Sequence, residues 1–348
     1  MKIFDYFSKN IGIDLGTANS LIYLAGKGMV INEPSIAAIN NKTGQIVAIG
    51  EEAKKMIGRT PLHITVIRPL INGVISDFEM TQEMLNFLLK KAVGPSNFLN
   101  FNKAVIGVPS NLTEVERKSV EDAVIGAGAS KVYIVEEPLL AALGAKMPID
   151  EPTSNMIIDI GGGTTEIAVI SMGGIVNAKS IKIAGDKLNE DIVRFIRDEF
   201  HLAIGEPTAE ELKINIGSAL PLDQKMDLPI RGRDMTTGLP REIIVRDTHI
   251  RMAISKSLKI IIDSIKETIE TTPPELVGDV LKRGIFICGG GSLLKGIDKL
   301  VEKEITVTTR IVEDPLTCVA RGAGMIAENL IKYSYLVNNP LRPKEIKI

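Results

Sequence analysis

The sequence predicts an α/β fold in which two similar domains enclose a cleft. Runs with strand character alternate with amphipathic helices along the chain, which is typical of α/β architecture. In addition, a strand–turn–strand motif at residues 13–20 recurs at residues 158–165. In each copy an apolar run ends in an aspartate, a turn of small residues follows, and a second apolar run leaves. This duplicated hairpin indicates two related domains that face each other.

Composition and charge are those of an ordinary globular protein. The chain has 348 residues, 45% hydrophobic and 24% charged, which is enough for two domains. The formal net charge of −2 gives no broad basic surface, so we expect no nucleic-acid partner. The two cysteines lie in apolar runs without metal-ligand spacing, and the three histidines are scattered, which argues against a zinc site. No apolar stretch reaches the ~20 residues of a membrane span, and the start lacks a signal-peptide core, so we expect a cytoplasmic protein.

The first half of the chain supplies strands and two amphipathic helices. In chain order we predict short strands over residues 29–75, a helix around 84–92, a strand over 104–109, a helix from 114 to about 126 and a strand over 132–135. Thr81 is the predicted N-cap of the first helix. Thr113 and Glu116 fit a capping box at the start of the second helix, in which each side chain accepts the other residue's backbone N–H.

The second half repeats this alternation after its hairpin. In chain order we predict a helix from about 186, a helix from 208, a long helix over 248–270, a strand over 284–288 and a last helix over 315–331. Thr208 and Glu211 are a second capping-box candidate. The strand over 284–288 runs into a glycine turn, so it is a further candidate for ligand contact.

The turn of each repeated hairpin has the composition of a phosphate site. Glycine lets backbone N–H groups approach a ligand closely, and a concave set of N–H groups binds anions. Threonine and asparagine side chains add hydrogen-bond donors. The candidate residues of the two turns are Gly16, Thr17, Ala18, Asn19, Gly161, Gly162, Gly163 and Thr164. Asp14 and Asp159 precede the turns and are candidate holders of Mg²⁺, usually through its waters.

A third glycine turn and one glutamate complete the predicted site. A strand that ends in a glycine loop before a helix is a backbone cradle for an anion or a nucleotide. The residues of this turn are Gly289, Gly290, Gly291 and Ser292. Contiguous glycines match neither a dinucleotide fingerprint nor a P-loop. Glu137 ends a predicted strand beside Pro138, where its carboxylate either faces the cleft and orients a water for attack on a γ-phosphate, or faces solvent.

Together the three glycine segments resemble the phosphate and adenosine motifs of the actin, chaperone and sugar-kinase superfamily. The segments concerned are 12–19, 159–166 and 287–294. Within it the chain is most similar to the MreB family of bacterial actin homologues, and the similarity extends from residue 11 to about 330. The segments that point to this family are 16–20, 135–138, 237–241 and 271–276. Residues 106–109 with the helix after them, and residues 314–324, resemble the two helices that connect the domains of that fold.

The resemblance implies an actin-like ATPase fold, with four subdomains around a nucleotide cleft. Domain I would comprise residues 1–150 and 315–348, with a small subdomain at about 33–76. Domain II would comprise residues 151–314, with a small subdomain at about 185–246. The resemblance further implies ATP or ADP with Mg²⁺ in the cleft, slow hydrolysis, and polymerisation into membrane-bound antiparallel double filaments.

Individual roles follow from the resemblance position by position. Glu137 matches the family's water-activating glutamate, and Thr164 matches the threonine beside the γ-phosphate. Glu210 and Lys213 fall where the family contacts the adenosine. The lysine that follows actin's first turn has no counterpart around Leu21, so backbone groups and Mg²⁺ must meet the phosphate charge.

Two apolar patches outside these motifs are candidate membrane contacts. Their residues are Ile3, Phe4 and Phe7 at the start of the chain, and Phe98, Leu99 and Phe101 in a predicted loop. A short amphipathic helix at the start would place its apolar side in the lipid interface. A disordered start and a loop folded into the core are the alternatives, but members of the MreB family bind lipid through both places.

These observations predict a cytoskeletal ATPase at the inner face of the cell membrane that polymerises and supports cell shape. Its expected partners are further copies of itself, membrane lipid, and membrane proteins of the shape or wall-synthesis machinery. A chaperone-type ATPase would need a β-rich substrate domain, for which too few residues follow the last predicted helix. A sugar kinase would need a catalytic aspartate on the sugar side of the cleft, and no segment obviously supplies one.

Overall fold

A computed structural model describes residues 9–94 and 101–337, and two five-stranded sheets dominate it. The first has the order β10-β9-β1-β2-β3, with β1 (Lys9–Leu15), β2 (Asn19–Leu24), β3 (Gly28–Pro34), β9 (Phe101–Val108) and β10 (Ala129–Glu136). The second has the order β13-β12-β11-β17-β18, with β11 (Asn155–Ile160), β12 (Thr165–Ser171), β13 (Gly174–Ile181), β17 (Ile285–Cys288) and β18 (Thr309–Ile311).

The two sheets share one topology. In each, three consecutive strands form an antiparallel meander, and the first of them also pairs in parallel with a later strand. β1 thus pairs antiparallel with β2 and parallel with β9, while β11 pairs antiparallel with β12 and parallel with β17. Parallel neighbours require crossover connections, which helices supply. The duplicated sheet confirms the predicted α/β fold with two similar domains.

Smaller sheets extend both halves. One three-stranded sheet contains β4 (Ala37–Asn40), β5 (Ile46–Ile49) and β6 (Ile64–Ile67), and is followed by the short hairpin of β7 (Leu70–Ile71) and β8 (Val74–Ile75). The other contains β14 (Leu202–Ala203), β15 (Asp227–Asp234) and β16 (Pro240–Arg246). Each small sheet lies inside one predicted small subdomain, while the domain boundaries themselves stay predictions.

Helices cover the sheets and connect their strands. They are α1 (Glu51–Lys54), α2 (Phe78–Val93), α3 (Glu114–Gly126), α4 (Glu137–Gly144), α5 (Gly185–Phe200), α6 (Glu206–Ile216), α7 (Asp247–Glu270), α8 (Pro274–Arg283), α9 (Ile297–Ile305), α10 (Cys318–Glu328) and α11 (Ser334–Val337). Single 3₁₀ turns span Gly290–Leu293 and Pro315–Thr317. The predicted helix over 315–331 is therefore shorter and begins with such a turn.

Helix starts agree with the sequence at one capping box and differ at two other places. Thr113 and Glu116 form the predicted capping box of α3. Asp77, not Thr81, caps α2: its side chain accepts the N–H of Met80, and the Thr81 hydroxyl donates back to the Asp77 carbonyl oxygen. α6 begins at Glu206 with a proline in its first turn, before Thr208, so the capping box predicted there is wrong.

Two short helices cross between the large sheets with their backbones in contact. A Cβ atom on Gly144 of α4 would lie 2.0 Å from the Cys318 carbonyl oxygen, and one on Gly322 of α10 would lie 2.0 Å from the Leu140 carbonyl oxygen. Only glycine fits at such a crossing. Residues 314–324 therefore contribute one of two crossing helices, but the partner of α10 is α4 and not the predicted α3, which packs against α2 and β10.

Phe101 corrects one predicted membrane contact. It opens β9, is 1% exposed, and belongs to the core under the first sheet. A ring that is buried there cannot reach lipid. For Phe101 the membrane prediction is therefore wrong, and the alternative, a segment folded into the core, is correct. The other five candidates, Ile3, Phe4, Phe7, Phe98 and Leu99, lie outside the described residues.

Candidate functional site

A cleft of about 400 Å³ opens between the two large sheets, where β1, β10, β11 and β17 end. This volume is typical of a small-molecule site. All the predicted catalytic, nucleotide-contacting and metal-binding residues line it except Ser292. Those present are Asp14, Gly16, Thr17, Ala18, Asn19, Glu137, Asp159, Gly161, Gly162, Gly163, Thr164, Glu210, Lys213, Gly289, Gly290 and Gly291.

The turns of the two repeated hairpins face each other across the cleft at close range. A Cβ atom on Gly162 would lie 2.5 Å from the Ala18 Cβ, and one on Gly163 would lie 2.6 Å from the Thr17 hydroxyl oxygen. Side chains larger than hydrogen would therefore push the turns apart. Small residues at these positions leave the backbone N–H groups of both turns accessible to one shared anion.

The third glycine turn approaches the second hairpin from the side. Gly289 has φ +78°, and a Cβ on it would lie 2.2 Å from the Asp159 Oδ1 atom, so both its conformation and its surroundings require glycine. Ser292 does not face the cleft, which corrects its prediction as a ligand contact. Its buried hydroxyl donates to the Gly289 carbonyl oxygen at 2.6 Å and stabilises the turn.

Four carboxyl groups share the inner end of the cleft: Asp14, Glu137, Asp159 and Glu166. Burial, and then the charge of Asp159, raises the pKa of Asp14 to about 8. Burial, and then the charge of Glu166, raises the pKa of Asp159 to about 7. Burial and the other three carboxylates raise the pKa of Glu137 well above its usual range. Within the described residues none of the four forms an ion pair with a cationic side chain.

These carboxylates fit a metal ion that reaches them through water and phosphate. Across residues 9–94 and 101–337, no three His, Cys, Asp or Glu side chains converge closely enough to hold a metal by themselves. Mg²⁺ usually keeps several waters and takes one or two carboxylates plus substrate phosphates. A pocket with unpaired acids and N–H-rich turns, but no complete ligand cage, matches that pattern.

The pKa shifts predict how stability of the nucleotide-free protein depends on pH. Asp14 has a folded-state pKa of about 8 against an ordinary 3.8, so between these values the folded state binds more protons than the unfolded state. Stability should therefore fall as pH rises through this window. Backbone hydrogen bonds from Thr237 and Thr236 help to lower the pKa of Asp234 to about 2. Asp234 therefore contributes its full stabilisation above pH 4 and does not alter how stability changes with pH in this window.

Thermal melting from pH 5 to pH 8 without nucleotide measures this dependence. Asp14→Asn should flatten the decline, because it removes one of the titrating groups. A melting temperature that rises steadily over the same range would contradict the assignment of raised pKa values to these carboxyls.

The hairpin of β7 and β8 touches both phosphate turns, and the sequence reasoning overlooked it. Its two-residue tip, Asn72 and Gly73, has positive φ at both positions. The Gly73 N–H donates to the Thr17 hydroxyl at 2.9 Å, and a Cβ on Gly73 would lie 3.3 Å from the Thr164 methyl carbon. Asn-Gly between apolar residues is the strongest local signal for a hairpin, so this element could have been found.

Glu166 and Asp186 were also missed as lining residues. Glu166 is the cross-strand partner of Asp159, and one of its oxygens accepts the Ser110 N–H at 3.3 Å. Asp186 lies in the first turn of α5 and faces the cleft. An isolated acid in a sequence gives no signal that distinguishes these positions from solvent-facing ones.

The outer end of the cleft is apolar on one side and charged on the other. Ile214, Leu293 and Leu316 are exposed yet line the cleft from three different elements. Lys213 donates to the Gly185 carbonyl oxygen at 2.9 Å, and burial lowers its pKa. Apolar walls with a few polar groups beside them suit a planar base.

Comparison with known proteins is consistent with this geometry. The profile of the MreB/Mbl protein family matches residues 8–334. This chain belongs to the MreB/Mbl family. The cell shape-determining protein Mbl of Bacillus subtilis is 46% identical over 326 residues, which are 94% of this chain and 98% of that protein. The cell shape-determining protein MreB of Escherichia coli is 43% identical, over 92% of this chain and 94% of that protein.

A solved structure shows the same fold. MreB5 of Spiroplasma citri bound to AMPPNP superposes with a TM-score of 0.90 at 40% identity, over 94% of this chain and 98% of that chain. The fold of this MreB/Mbl family member is thus actin-like, as the sequence motifs implied. Within the described ranges, the helices are all too short or too polar to cross a bilayer.

Proposed function

We propose that this protein binds ATP with Mg²⁺, hydrolyses it slowly, and polymerises into membrane-associated filaments that support cell shape. The nucleotide proposal rests chiefly on two glycine turns that face each other beside four buried or half-buried carboxyl groups, none of which forms an ion pair within the described residues. Backbone N–H groups of both turns would bind the phosphates. Mg²⁺, when bound, would supply the positive charge that lets Asp14 and Asp159 ionise and that screens the phosphate chain.

Glu137 is the best-placed residue to act on the attacking water. It is the first residue of α4, directly after β10, and lines the same end of the cleft as the two aspartates. In its ionised form the Glu137 carboxylate would accept a hydrogen bond from the attacking water and orient it. Thr164, in the second phosphate turn, would donate its hydroxyl beside the terminal phosphate. This arrangement supports catalysis by positioning and electrostatics, as in other phosphoryl-transfer enzymes.

The outer end of the cleft supports an adenine nucleotide. Ile214, Leu293 and Leu316 would cover the two faces of the base, while Glu210 and Lys213 would contact the adenosine. The relative from Spiroplasma citri was solved with AMPPNP, which supports a nucleotide of this class.

The filament and cell-shape parts of the proposal are supported by family membership and by the surface. Two relatives are described as cell shape-determining proteins. Leu62, beside the first small sheet, is fully exposed, and Leu239 and Ile244 are exposed on the second. Exposed apolar side chains in or beside both small sheets would be covered by neighbouring subunits of a filament.

The sheet topology supports membrane contact at one edge. β1 begins at Lys9 opposite Phe101, and β10 begins at Ala129 opposite the same residue. The first residues of the chain and the segment before Phe101 therefore join the structure at the same edge of one sheet. We propose that the two apolar segments act together on a lipid surface, because two weak apolar contacts bind lipid better than one.

Sedimentation with liposomes tests the proposal. Pelleting that requires both ATP and Mg²⁺, with release of phosphate, is the expected result. Phe98→Asp with Leu99→Asp should reduce liposome binding several-fold without reducing filament pelleting in the absence of lipid, because charged side chains do not enter the interface. Phe78→Asp, at an exposed residue of α2, is the matched control. Monomers under all conditions, with turnover stimulated by a sugar, would instead indicate a kinase of the same superfamily.

A further inference from the structure

Arg68 joins the two sides of the cleft directly. It lies between β6 and β7, on the side of the first small sheet. Its Nη2 atom is 2.5 Å from the Glu206 Oε1 atom, and its Nη1 atom is 3.4 Å from the Asp186 Oδ1 atom. Asp186 and Glu206 open α5 and α6 on the opposite side. One guanidinium therefore bridges the starts of two helices across the cleft mouth.

On the opposite side of the cleft, backbone hydrogen bonds connect the start of α5 directly to the second phosphate turn. The N–H groups of Gly185 and Asp186 donate to the carbonyl oxygens of Gly161 and Gly162, at 3.1 and 2.8 Å. α6, which Glu206 opens, also carries Lys213. A movement of the two acids relative to Arg68 would therefore move the turn and the base-contacting helix with them.

On its own side Arg68 is coupled to the first phosphate turn. The chain continues from Arg68 through Pro69 into the hairpin of β7 and β8, whose Gly73 N–H donates to the Thr17 hydroxyl. A closed ring of contacts thus surrounds the inner cleft. It consists of Arg68, the hairpin of β7 and β8, the two phosphate turns and the start of α5. Within that ring, Arg68 provides two ion pairs that cross the mouth.

A third ion pair, between Lys54 and Glu210, also crosses the mouth, but it is weaker. Lys54 Nζ is 3.0 Å from the Glu210 Oε2 atom, with the two side chains 37% and 34% exposed. A single pair of this exposure contributes little, since water and salt screen it. The Arg68 side chain is 28% exposed and contacts two acids with a planar group, which is the more stabilising geometry.

We propose that Arg68 is a positioning residue that holds the cleft closed over the nucleotide and so sets the rate at which the nucleotide leaves. The residue does not touch the reacting atoms; it acts through Asp186 and Glu206. This inference rests on the proposed nucleotide function, and the experiment below separates the two.

Release of a fluorescent ATP analogue, followed by stopped flow after mixing with excess ATP, measures the effect. Arg68→Ala should release the analogue about 10- to 100-fold faster, as expected for loss of hydrogen bonds between charged groups. The rate of single-turnover hydrolysis at saturating ATP should change less in Arg68→Ala than the rate of analogue release. Arg68→Lys, which keeps the charge, should recover part of the slow release. Arg231→Ala, which removes the exposed pair with Glu242 on the second small sheet, is the matched control and should release at the wild-type rate.

A double-mutant cycle distinguishes the proposed coupling from a general loosening of the fold. Glu206→Gln should speed release less than Arg68→Ala, and the double variant should be no faster than Arg68→Ala alone. Raised salt should speed release from the wild type more than from Arg68→Ala. Additive effects of the two substitutions, or an unchanged release rate in Arg68→Ala, would overturn the inference.

A second readout does not depend on nucleotide. Spin labels at Glu52→Cys and Glu211→Cys, two exposed positions on opposite sides of the mouth, report the width of the cleft. The two native cysteines are buried, so the label should react with the introduced ones. Arg68→Ala should broaden and lengthen the distance distribution, and an unchanged distribution would overturn the inference. If the wild type binds no ATP analogue, the proposed function fails, and this distance alone decides the role of Arg68.

Discussion

Glu137→Ala should lower phosphate release by about 10²- to 10⁴-fold while nucleotide binding persists, because the substitution removes the group that orients the attacking water. Loss of one of four crowded carboxylates also removes repulsion toward the phosphates, so affinity for ATP should stay the same or rise. Single-turnover phosphate release, together with equilibrium binding of a fluorescent ATP analogue, measures both quantities.

The neighbouring acid provides the control for this experiment. Glu136 pairs with Arg117 at 3.0 Å and does not line the cleft. Glu136→Ala should therefore hydrolyse ATP at close to the wild-type rate. If Glu137→Ala also retained wild-type turnover, another group would have to activate the water, and the role proposed for Glu137 would be wrong.

Gly322→Ala should destabilise the protein by about 3 kcal/mol, at the upper end of the cost of overpacking a core. The added Cβ would lie 2.0 Å from the Leu140 carbonyl oxygen, and a backbone atom cannot move aside as a flexible side chain can. Because the clash separates α4 from α10, ATP affinity should fall as well. Urea unfolding followed by circular dichroism gives the loss of stability.

Gly278→Ala is the matched substitution at a helix position with open space. A Cβ on Gly278 would have no neighbouring atom within 4 Å, so the change should stabilise α8 by up to ~1 kcal/mol through helix propensity. Equal destabilisation by both substitutions would show that the crossing of α4 and α10 is not the reason for the loss at Gly322.

The parts of the site that could be predicted are those for which the backbone dictates the residue type. The turns at Gly162, Gly163 and Gly289 leave no room for a Cβ, so glycine marks them in the sequence. The duplicated hairpin then predicted two similar domains and placed Asp14 and Asp159 at strand ends. The sequence also marks Asn72 and Gly73, because an Asn-Gly dipeptide between apolar residues predicts a hairpin turn.

The rest depends on tertiary contacts that leave no local pattern. Phe101 follows two other large apolar residues without helical or strand periodicity, so nothing local distinguishes a core position from a surface loop. Glu166 and Asp186 become site residues only because distant segments pack beside them. The partner of α10 was misassigned because α3 and α4 both follow a buried strand, and only the packed structure shows that α4 crosses at the glycines.

Three parallel strands, β1, β9 and β10, determine what lies at each end of the first sheet. They begin at the edge with Lys9, Phe101 and Ala129, and they end beside Gly16, Pro109 and Glu137. At ~3.3 Å per residue, a strand of this length places its two ends about 25 Å apart. If the starting edge rests on a bilayer, the phosphate turns lie at the end of the sheet away from the lipid. A subunit could then take up fresh ATP from solution without detaching, and a filament could renew its nucleotide while it stays anchored.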